Sequence, residues 1–215
     1  MQTLAIKVGD LMEQAIIIRN SEPDPDQGKR QNLEMPEKVK KWSFQLGQIF
    51  CHLFLRLQIK EVGSALQCLG RIRLSGSKNI RIGDQCIIGK NVLLETEGRG
   101  YIHIGSHVKI GKGVKIRSRN NITIEDHTYL GDYVEIWDWN LETEQDNNQI
   151  KSKPVYIGKN VWIGKDTRIH TGVTIGHGAT ISAKSVVIRS IPPEVVAGGA
   201  PARMIMDQSK LHEES

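Results

Sequence analysis

Ile104-Gly-Ser-His-Val-Lys-Ile-Gly-Lys-Gly-Val-Lys-Ile116 is the stretch that decides the fold. An aliphatic residue leads each six-residue unit, glycine follows the first two leaders, and valine stands four places after each of them. The pattern recurs along the chain, for example at Ile88-Gly-Lys-Asn-Val92 and Ile157-Gly-Lys-Asn-Val161. A period this short and this persistent indicates a repeat architecture.

The leading residues fall into six groups of three, with a spacing of six inside every group. Group by group they are Val62, Cys68 and Leu74; Ile82, Ile88 and Leu94; Ile104, Ile110 and Ile116; Ile124, Leu130 and Ile136; Ile157, Ile163 and Ile169; Ile175, Ile181 and Val187. The steps between groups are 8, 10, 8, 21 and 6, so every insertion follows a third unit.

A stack of triangular coils explains this phase. Three short strands make one coil, successive coils pair as parallel strands, and insertions at one phase all leave at one corner. The leaders point inward, and the glycine after a leader fits the tight bend between two flat faces. An antiparallel sandwich is the alternative, but it requires hairpin turns, and Asn-Gly and Asp-Gly are absent from the repeat.

The pattern therefore predicts an all-β parallel β-helix over residues 62–206, with an N-terminal extension over 1–61 and a polar tail over 207–215. The extension contains a polar linker and a predicted helix from Pro36 to about Lys60. Its apolar residues at helical spacing are Trp42, Leu46, Ile49, Phe50, Leu53 and Leu57. We expect this helix to cap the first coil. A helix lying on a membrane surface is the alternative, because lysines and arginines flank the stripe.

Composition narrows the class of protein. The formal net charge is +5, and the basic residues are scattered among acidic ones, so no nucleic-acid partner is expected. The three cysteines show neither metal-ligand spacing nor a disulfide framework. Charged residues interrupt the first apolar stretch, and no run of about 18 apolar residues exists. We therefore expect a cytoplasmic protein, with membrane contact only through residues 36–60.

The second half of the repeat resembles a known family. Val155-Tyr-Ile-Gly-Lys-Asn-Val-Trp162-Ile-Gly164, Gly172-Val-Thr-Ile-Gly176 and Ile191-Pro-Pro through Ala197-Gly-Gly-Ala-Pro-Ala-Arg203 are similar to the maltose and galactoside O-acetyltransferases. They also resemble the O-acetyltransferases of bacterial polysaccharide loci. The resemblance covers about residues 62–206. It implies a left-handed β-helix, a homotrimer, acetyl-CoA as donor and a sugar or polysaccharide-precursor hydroxyl as acceptor, with no metal.

The resemblance also implies a catalytic histidine at the sixth place of the unit before the long insertion. That unit reads Ile136-Trp-Asp-Trp-Asn-Leu141, so leucine stands at the expected position. A hydroxyl acceptor still needs a general base. The candidate replacements around the insertion are His170, Asp138, Asn140 and Glu142. The register places His170 beside Trp137, one coil apart, and it also stacks His107 on His127, with Asn160 continuing that ladder.

Further site residues follow from the same resemblance. Trp137, Trp139 and Trp162 are the candidate acceptor-pocket residues. The candidate donor-binding residues are Gly164, Ser182, Ala183, Arg189 and Arg203, the two arginines as partners for CoA phosphates. Because Leu141 replaces the histidine, a trimeric β-helix that binds CoA or a sugar without turnover is the alternative. A γ-class carbonic anhydrase, which needs two histidines five residues apart, does not fit the seven histidines here.

Overall fold

A computed structural model describes residue 55, residues 57–139 and residues 152–207 of the chain. Within these ranges the chain winds as a left-handed parallel β-helix whose three faces are sheets A, B and C, all parallel except for the last strand of sheet B. Sheet A contains β1 (Glu61–Val62), β4 (Ile80–Ile82), β7 (Tyr101–Ile104), β10 (Asn121–Ile124), β13 (Val155–Ile157) and β16 (Thr174–Ile175). Sheet B contains β2 (Gln67–Cys68), β5 (Ile87–Ile88), β8 (Lys109–Ile110), β11 (Tyr129–Leu130), β14 (Trp162–Ile163), β17 (Thr180–Ile181), β19 (Val195–Gly199) and β20 (Ala202–Asp207). Sheet C contains β3 (Ile72–Ser75), β6 (Val92–Thr96), β9 (Lys115–Ser118), β12 (Glu135–Trp137), β15 (Arg168–Ile169) and β18 (Val186–Val187).

The predicted register is confirmed on all three faces. On sheet A, Ile104 pairs with Ile124, and Ile124 pairs with Ile157 across the 21-residue step. On sheet C, Ile136 pairs with Ile116 on one side and with Ile169 on the other. We number the coils 1 to 6 after the six groups of leaders. Because all inward residues share this phase, the core is one continuous aliphatic column.

The glycines that follow the leaders are required by the next coil. A Cβ on Gly63 would lie 2.4 Å from the backbone carbon of Gly83, and one on Gly164 would lie 2.4 Å from the backbone nitrogen of Ala183. The bend itself occurs two residues further on, where non-glycine residues such as His107 and Asn160 adopt the left-handed conformation. The glycines thus allow close stacking of coils, whereas the turn tolerates other residue types.

The described end of the predicted N-terminal helix covers the first coil. Leu55 and Ile59 are buried in the same core cluster as the coils, and the Ile59 backbone N–H donates to the Leu55 carbonyl at 2.8 Å. Leu57, which we placed on the buried stripe, is 81% exposed, so that assignment is wrong. The spacing of four between Leu55 and Ile59 shows that the buried face is rotated from the one predicted. The other stripe residues and the membrane-surface alternative concern residues that lie outside the described ranges.

The C-terminal end closes the column with a hairpin. Ile191 bridges to Ile175, and β19 continues sheet B beside β17 before β20 pairs with it antiparallel. The Ala200–Pro201 peptide in the turn is cis. Strand β20 ends at Asp207, one residue beyond the boundary predicted for the repeat domain. In the described residues no helix is long and apolar enough to cross a bilayer.

Candidate functional site

Asp138 organises the corner between sheets C and A from which the long insertion leaves; we call it the loop corner. Its side chain is fully buried, and its carboxylate accepts hydrogen bonds from the Ser118 hydroxyl at 2.7 Å, the Arg119 N–H at 2.8 Å and the Asn120 N–H at 2.9 Å. The carboxylate thus satisfies three hydrogen-bond donors in the turn of coil 3, the preceding coil. This geometry gives Asp138 a structural role and leaves little of its carboxylate for an incoming substrate.

The returning end of the insertion docks on the same corner. The Lys153 N–H donates to the Asp138 carbonyl at 2.9 Å, and the Thr171 hydroxyl donates to that carbonyl at 2.7 Å. Asn120 reaches the Ser152 carbonyl through its side-chain amide at 3.2 Å. The returning end of the insertion is therefore fixed to coils 3, 4 and 5. Asn140, Leu141 and Glu142 lie outside the described residues, so their roles stay predictions.

His170 lies where the register places it. Its ring is 4.8 Å from the Trp137 ring, centroid to centroid, at an angle of 56°. Its backbone N–H donates to the Val187 carbonyl at 3.0 Å, which fixes its place on sheet C. The side chain is half-buried. Of the four candidate bases, His170 is the one that the described residues place beside a tryptophan on the outer surface.

The two tryptophans of coil 4 border a small pocket on the outer surface of sheet C. This pocket, of about 110 Å³, is lined by Lys115, Arg117, Glu135, Ile136, Trp137 and Trp139. The Arg119 guanidinium carbon lies 4.6 Å from the centre of the Trp139 ring, a cation–π distance. We call it the tryptophan pocket. It can offer aromatic surface and hydrogen-bond donors to one polar ligand.

A larger groove runs along the corner between sheets B and C. It has a volume of about 390 Å³ and brings together three predicted donor-binding residues, Gly164, Ser182 and Ala183. Trp162, which we predicted for the acceptor pocket with Trp137 and Trp139, lines this groove instead of the tryptophan pocket. Trp162 is 54% exposed and packs on Tyr129, with ring centroids 4.2 Å apart. An aromatic wall beside open backbone of small residues suits a long, narrow ligand. We call this feature the donor groove.

The two predicted arginines lie in different places. Arg203 pairs with Gly198 across the terminal hairpin, and a Cβ on Gly198 would lie 2.9 Å from the Ser182 side chain, so Arg203 is close to the donor groove. The Arg203 guanidinium donates to the Ala202 carbonyl at 3.1 Å. Arg189 is exposed two residues after Val187, towards the loop corner and away from the groove.

The predicted histidine ladder is confirmed at the corner between sheets A and B. The His107 and His127 rings stack at 4.6 Å and 4°. Beside them, hydrogen bonds from the Ser64 N–H and hydroxyl hold the pKa of Asp84 below its ordinary value. The Ser106 N–H does the same for the pKa of Asp126. This corner lies away from both pockets and serves coil stacking.

Among the described residues, no group of three or more histidine, cysteine or acidic side chains is placed to hold a metal. Sequence reasoning missed Tyr129, Asp132 and Lys165 of the donor groove. Tyr129 could have been found, because it precedes its leader by one residue as Trp162 does. Lys115 and Arg117 of the tryptophan pocket could have been found in the same way, from their offset to a leader. They flank Ile116, so they lie beside Glu135 and Trp137 on the neighbouring coil.

The comparisons with known proteins agree with this architecture. The bacterial transferase hexapeptide family (six repeats) matches residues 154–189, and the hexapeptide repeat of succinyl-transferase matches residues 79–118. A protein of Escherichia coli K12 named as a lipopolysaccharide biosynthesis O-acetyl transferase, WbbJ, is 31% identical over 67% of this chain and 80% of its own. The galactoside O-acetyltransferase of the same organism is 33% identical over 56% of this chain and 63% of its own.

A solved structure shares the fold. The N-acyltransferase AntD from Bacillus cereus, in complex with dTDP and 3-hydroxybutyryl-CoA, superposes with a TM-score of 0.65 at 20% identity, over 75% of this chain and 92% of its own. The chain therefore belongs to the hexapeptide-repeat acyltransferases, the group that the sequence motifs indicated. The relatives and the shared fold make it an acyl-CoA acyltransferase. The alternative of a trimeric β-helix that binds CoA or a sugar without turnover rests on Leu141, which lies outside the described residues, and it stays a prediction.

Proposed function

We propose that the protein transfers the acetyl group of acetyl-CoA to a hydroxyl of a sugar or polysaccharide precursor, in the cytoplasm. The observation that carries the proposal is the donor groove, where the predicted donor-binding residues Gly164, Ser182 and Ala183 meet along one edge of the β-helix. The names of the relatives, a lipopolysaccharide biosynthesis O-acetyl transferase and a galactoside O-acetyltransferase, support a sugar acceptor.

The donor groove suits the pantetheine arm of acetyl-CoA. Trp162 and Tyr129 offer an apolar wall, whereas Ser182 and Ala183 leave the coil edge open because their side chains are short. Lys165, at the same edge, and Arg203 supply positive charge for the phosphates of the nucleotide end. No metal takes part in this proposal.

His170 is the proposed general base. Its imidazole takes the proton of the acceptor hydroxyl while that oxygen attacks the thioester carbonyl carbon. The tetrahedral intermediate then expels the CoA thiolate, which receives a proton from the imidazolium. The products are an acetyl ester and CoA as a free thiol. The Trp137 ring, 4.8 Å from the imidazole and tilted by 56° against it, helps to position His170 next to the tryptophan pocket.

The donor groove and His170 lie on different corners of one prism, since the width of sheet C separates Gly164 from His170 on coil 5. A single chain therefore does not bring donor and base together. A threefold assembly would place the groove of one copy against the loop corner of the next. We propose such a homotrimer as the active species.

The test is release of CoA thiol from acetyl-CoA in the presence of sugar acceptors. We expect His170→Ala to lower kcat by about 10²–10⁴-fold, and His177→Ala, an exposed histidine at another corner, to leave it unchanged. Calorimetric titration with acetyl-CoA should show saturable binding in both variants. Absence of acetyl-CoA binding would contradict the proposed donor. Full activity of His170→Ala would contradict the proposed base.

A further inference from the structure

Basic side chains of coils 3 and 5 lie on both sides of the coil-4 residues that line the tryptophan pocket. Coil 3 places Lys115 and Arg117 beside Glu135 and Trp137 of coil 4, residue for residue. Coil 5 places Arg168 on the other side of Glu135. On coils 3 to 5, Glu135 is thus the one acidic residue among the described side chains that border the pocket. Its carboxylate accepts a hydrogen bond from the Lys115 ammonium at 2.8 Å and forms an ion pair with the Arg168 guanidinium at 3.7 Å.

The remaining acidic partners lie one coil back. Glu95 and Glu97 of coil 2 pair with Arg117 at 3.1 Å and with Arg119 at 2.7 Å. The Arg117 side chain is still 44% exposed, and that of Arg168 is 62% exposed. Ion pairs this exposed contribute little to the stability of the fold, because water screens them. An incoming anion can therefore recruit these guanidinium groups at little cost.

Trp139 supplies an independent observation. The residue is 4% exposed, and within the described ranges its indole N–H has no hydrogen-bond partner. A buried donor without a partner is unfavourable, and a ligand oxygen would satisfy it. Arg119 over the Trp139 ring adds a positive charge at the same point.

We propose that the tryptophan pocket selects an acceptor sugar that carries an anionic group, a carboxylate or a phosphate. The sugar ring packs on Trp137, its anionic group takes Arg117 and Arg168 from their present partners, and an oxygen accepts the Trp139 N–H. This inference names the acceptor class and rests on the proposed function. It makes Arg117 and Arg168 specificity-determining residues, outside the chemical step.

Binding tests the inference without need for turnover. Glucuronate, glucose 1-phosphate and glucose share one ring and differ in charge, so the full-length protein is titrated with each and tryptophan fluorescence and heat are recorded. We expect at least one of the two anionic sugars to bind about tenfold or more tighter than glucose, as a charge-assisted hydrogen bond gives. The preferred anion identifies the source, carboxylate or phosphate. Equal affinity for all three sugars, or no binding, would overturn the proposal.

Substitutions test which side chains produce the preference for the anionic sugar. Arg117→Gln should reduce the preference for the anionic sugar to a few-fold, and Arg117→Lys should restore part of it. Lys109→Gln, on sheet B of the same coil, should leave the preference unchanged. A preference that survives Arg117→Gln and Arg168→Gln together would also overturn the proposal. Titration with acetyl-CoA separates this result from the proposed function, because a protein that binds the donor but not the anion loses this inference alone.

Discussion

Replacement of Asp138 by alanine should unfold the loop corner rather than impair the chemistry alone. The carboxylate accepts three hydrogen bonds, at 2.7, 2.8 and 2.9 Å, and the residue is fully buried. A buried donor that loses its partner costs about 1–3 kcal/mol. The Ser118 donor is buried and the Arg119 and Asn120 donors are part-buried, so we place the expected loss in the free energy of unfolding in the lower part of that summed range, at about 3–6 kcal/mol. Urea denaturation followed by circular dichroism measures this loss.

The matched control is Asp132→Ala. The Asp132 carboxylate is exposed and also accepts a backbone N–H, that of Lys112 at 2.7 Å, so its removal should cost about 1 kcal/mol or less. Suppose instead that Asp138→Ala unfolds at the wild-type urea concentration and yet fails to release CoA thiol from acetyl-CoA. The carboxylate would then act as the base, and the structural role argued from its three hydrogen bonds would be refuted.

Three further predictions concern the column itself. Ile136→Ala, at a fully buried leader, should lower the free energy of unfolding by about 2–5 kcal/mol, whereas Lys109→Ala should change it by less than about 0.5 kcal/mol; equal urea midpoints would contradict the ladder. Burial raises the pKa of the Cys86 thiol, so the thiol loses its proton at a lower pH in the unfolded chain than in the folded protein. The free energy of unfolding of the wild type should therefore fall relative to that of Cys86→Ala as the pH rises above about 8.5. Parallel curves of stability against pH for the two proteins would contradict this prediction. Gly164→Ala should destabilise the protein and weaken acetyl-CoA binding, since the new Cβ meets the Ala183 backbone, and unchanged thermal unfolding would show that the coils can separate.

Much of the fold could be predicted because the repeat converts sequence distance into spatial distance. Once the leaders are in phase, any two residues with the same offset from their leaders are neighbours on adjacent coils. That rule alone predicted the His107–His127 stack and the contact of Trp137 with His170, both of which the structure shows. Long-range contacts are usually the least predictable part of a fold, and here they follow from counting.

The same counting does not say which way a polar side chain turns at a corner. Asp138 follows Trp137 in the strand direction, so its side chain points inward and bonds to the turn of coil 3, which the spacing alone did not reveal. The rotation of the N-terminal helix was also missed, because a single apolar stripe has no repeat to fix its phase. Leu57 was placed on the buried face for this reason.

Some outward side chains of sheet C are not explained by stability of the β-helix. On coils 2 and 3, which precede the tryptophans, acidic and basic residues face each other, as Glu95 and Arg117 do. Such pairs favour the stacking of coils and the solubility of the protein. On coil 4 this alternation ends: Trp137 stands where another charged residue would complete the pairing. A large aromatic ring gains nothing for the column from a place on its outer surface. The break occurs on the coil that carries the long insertion, next to His170 and the loop corner. The leaders and their register are repeated from coil to coil, so under the proposed selection of an anionic acceptor the choice depends on these outward positions. A family member that acts on a different acceptor should therefore keep the leaders and differ at the positions of Arg117, Trp137 and Arg168.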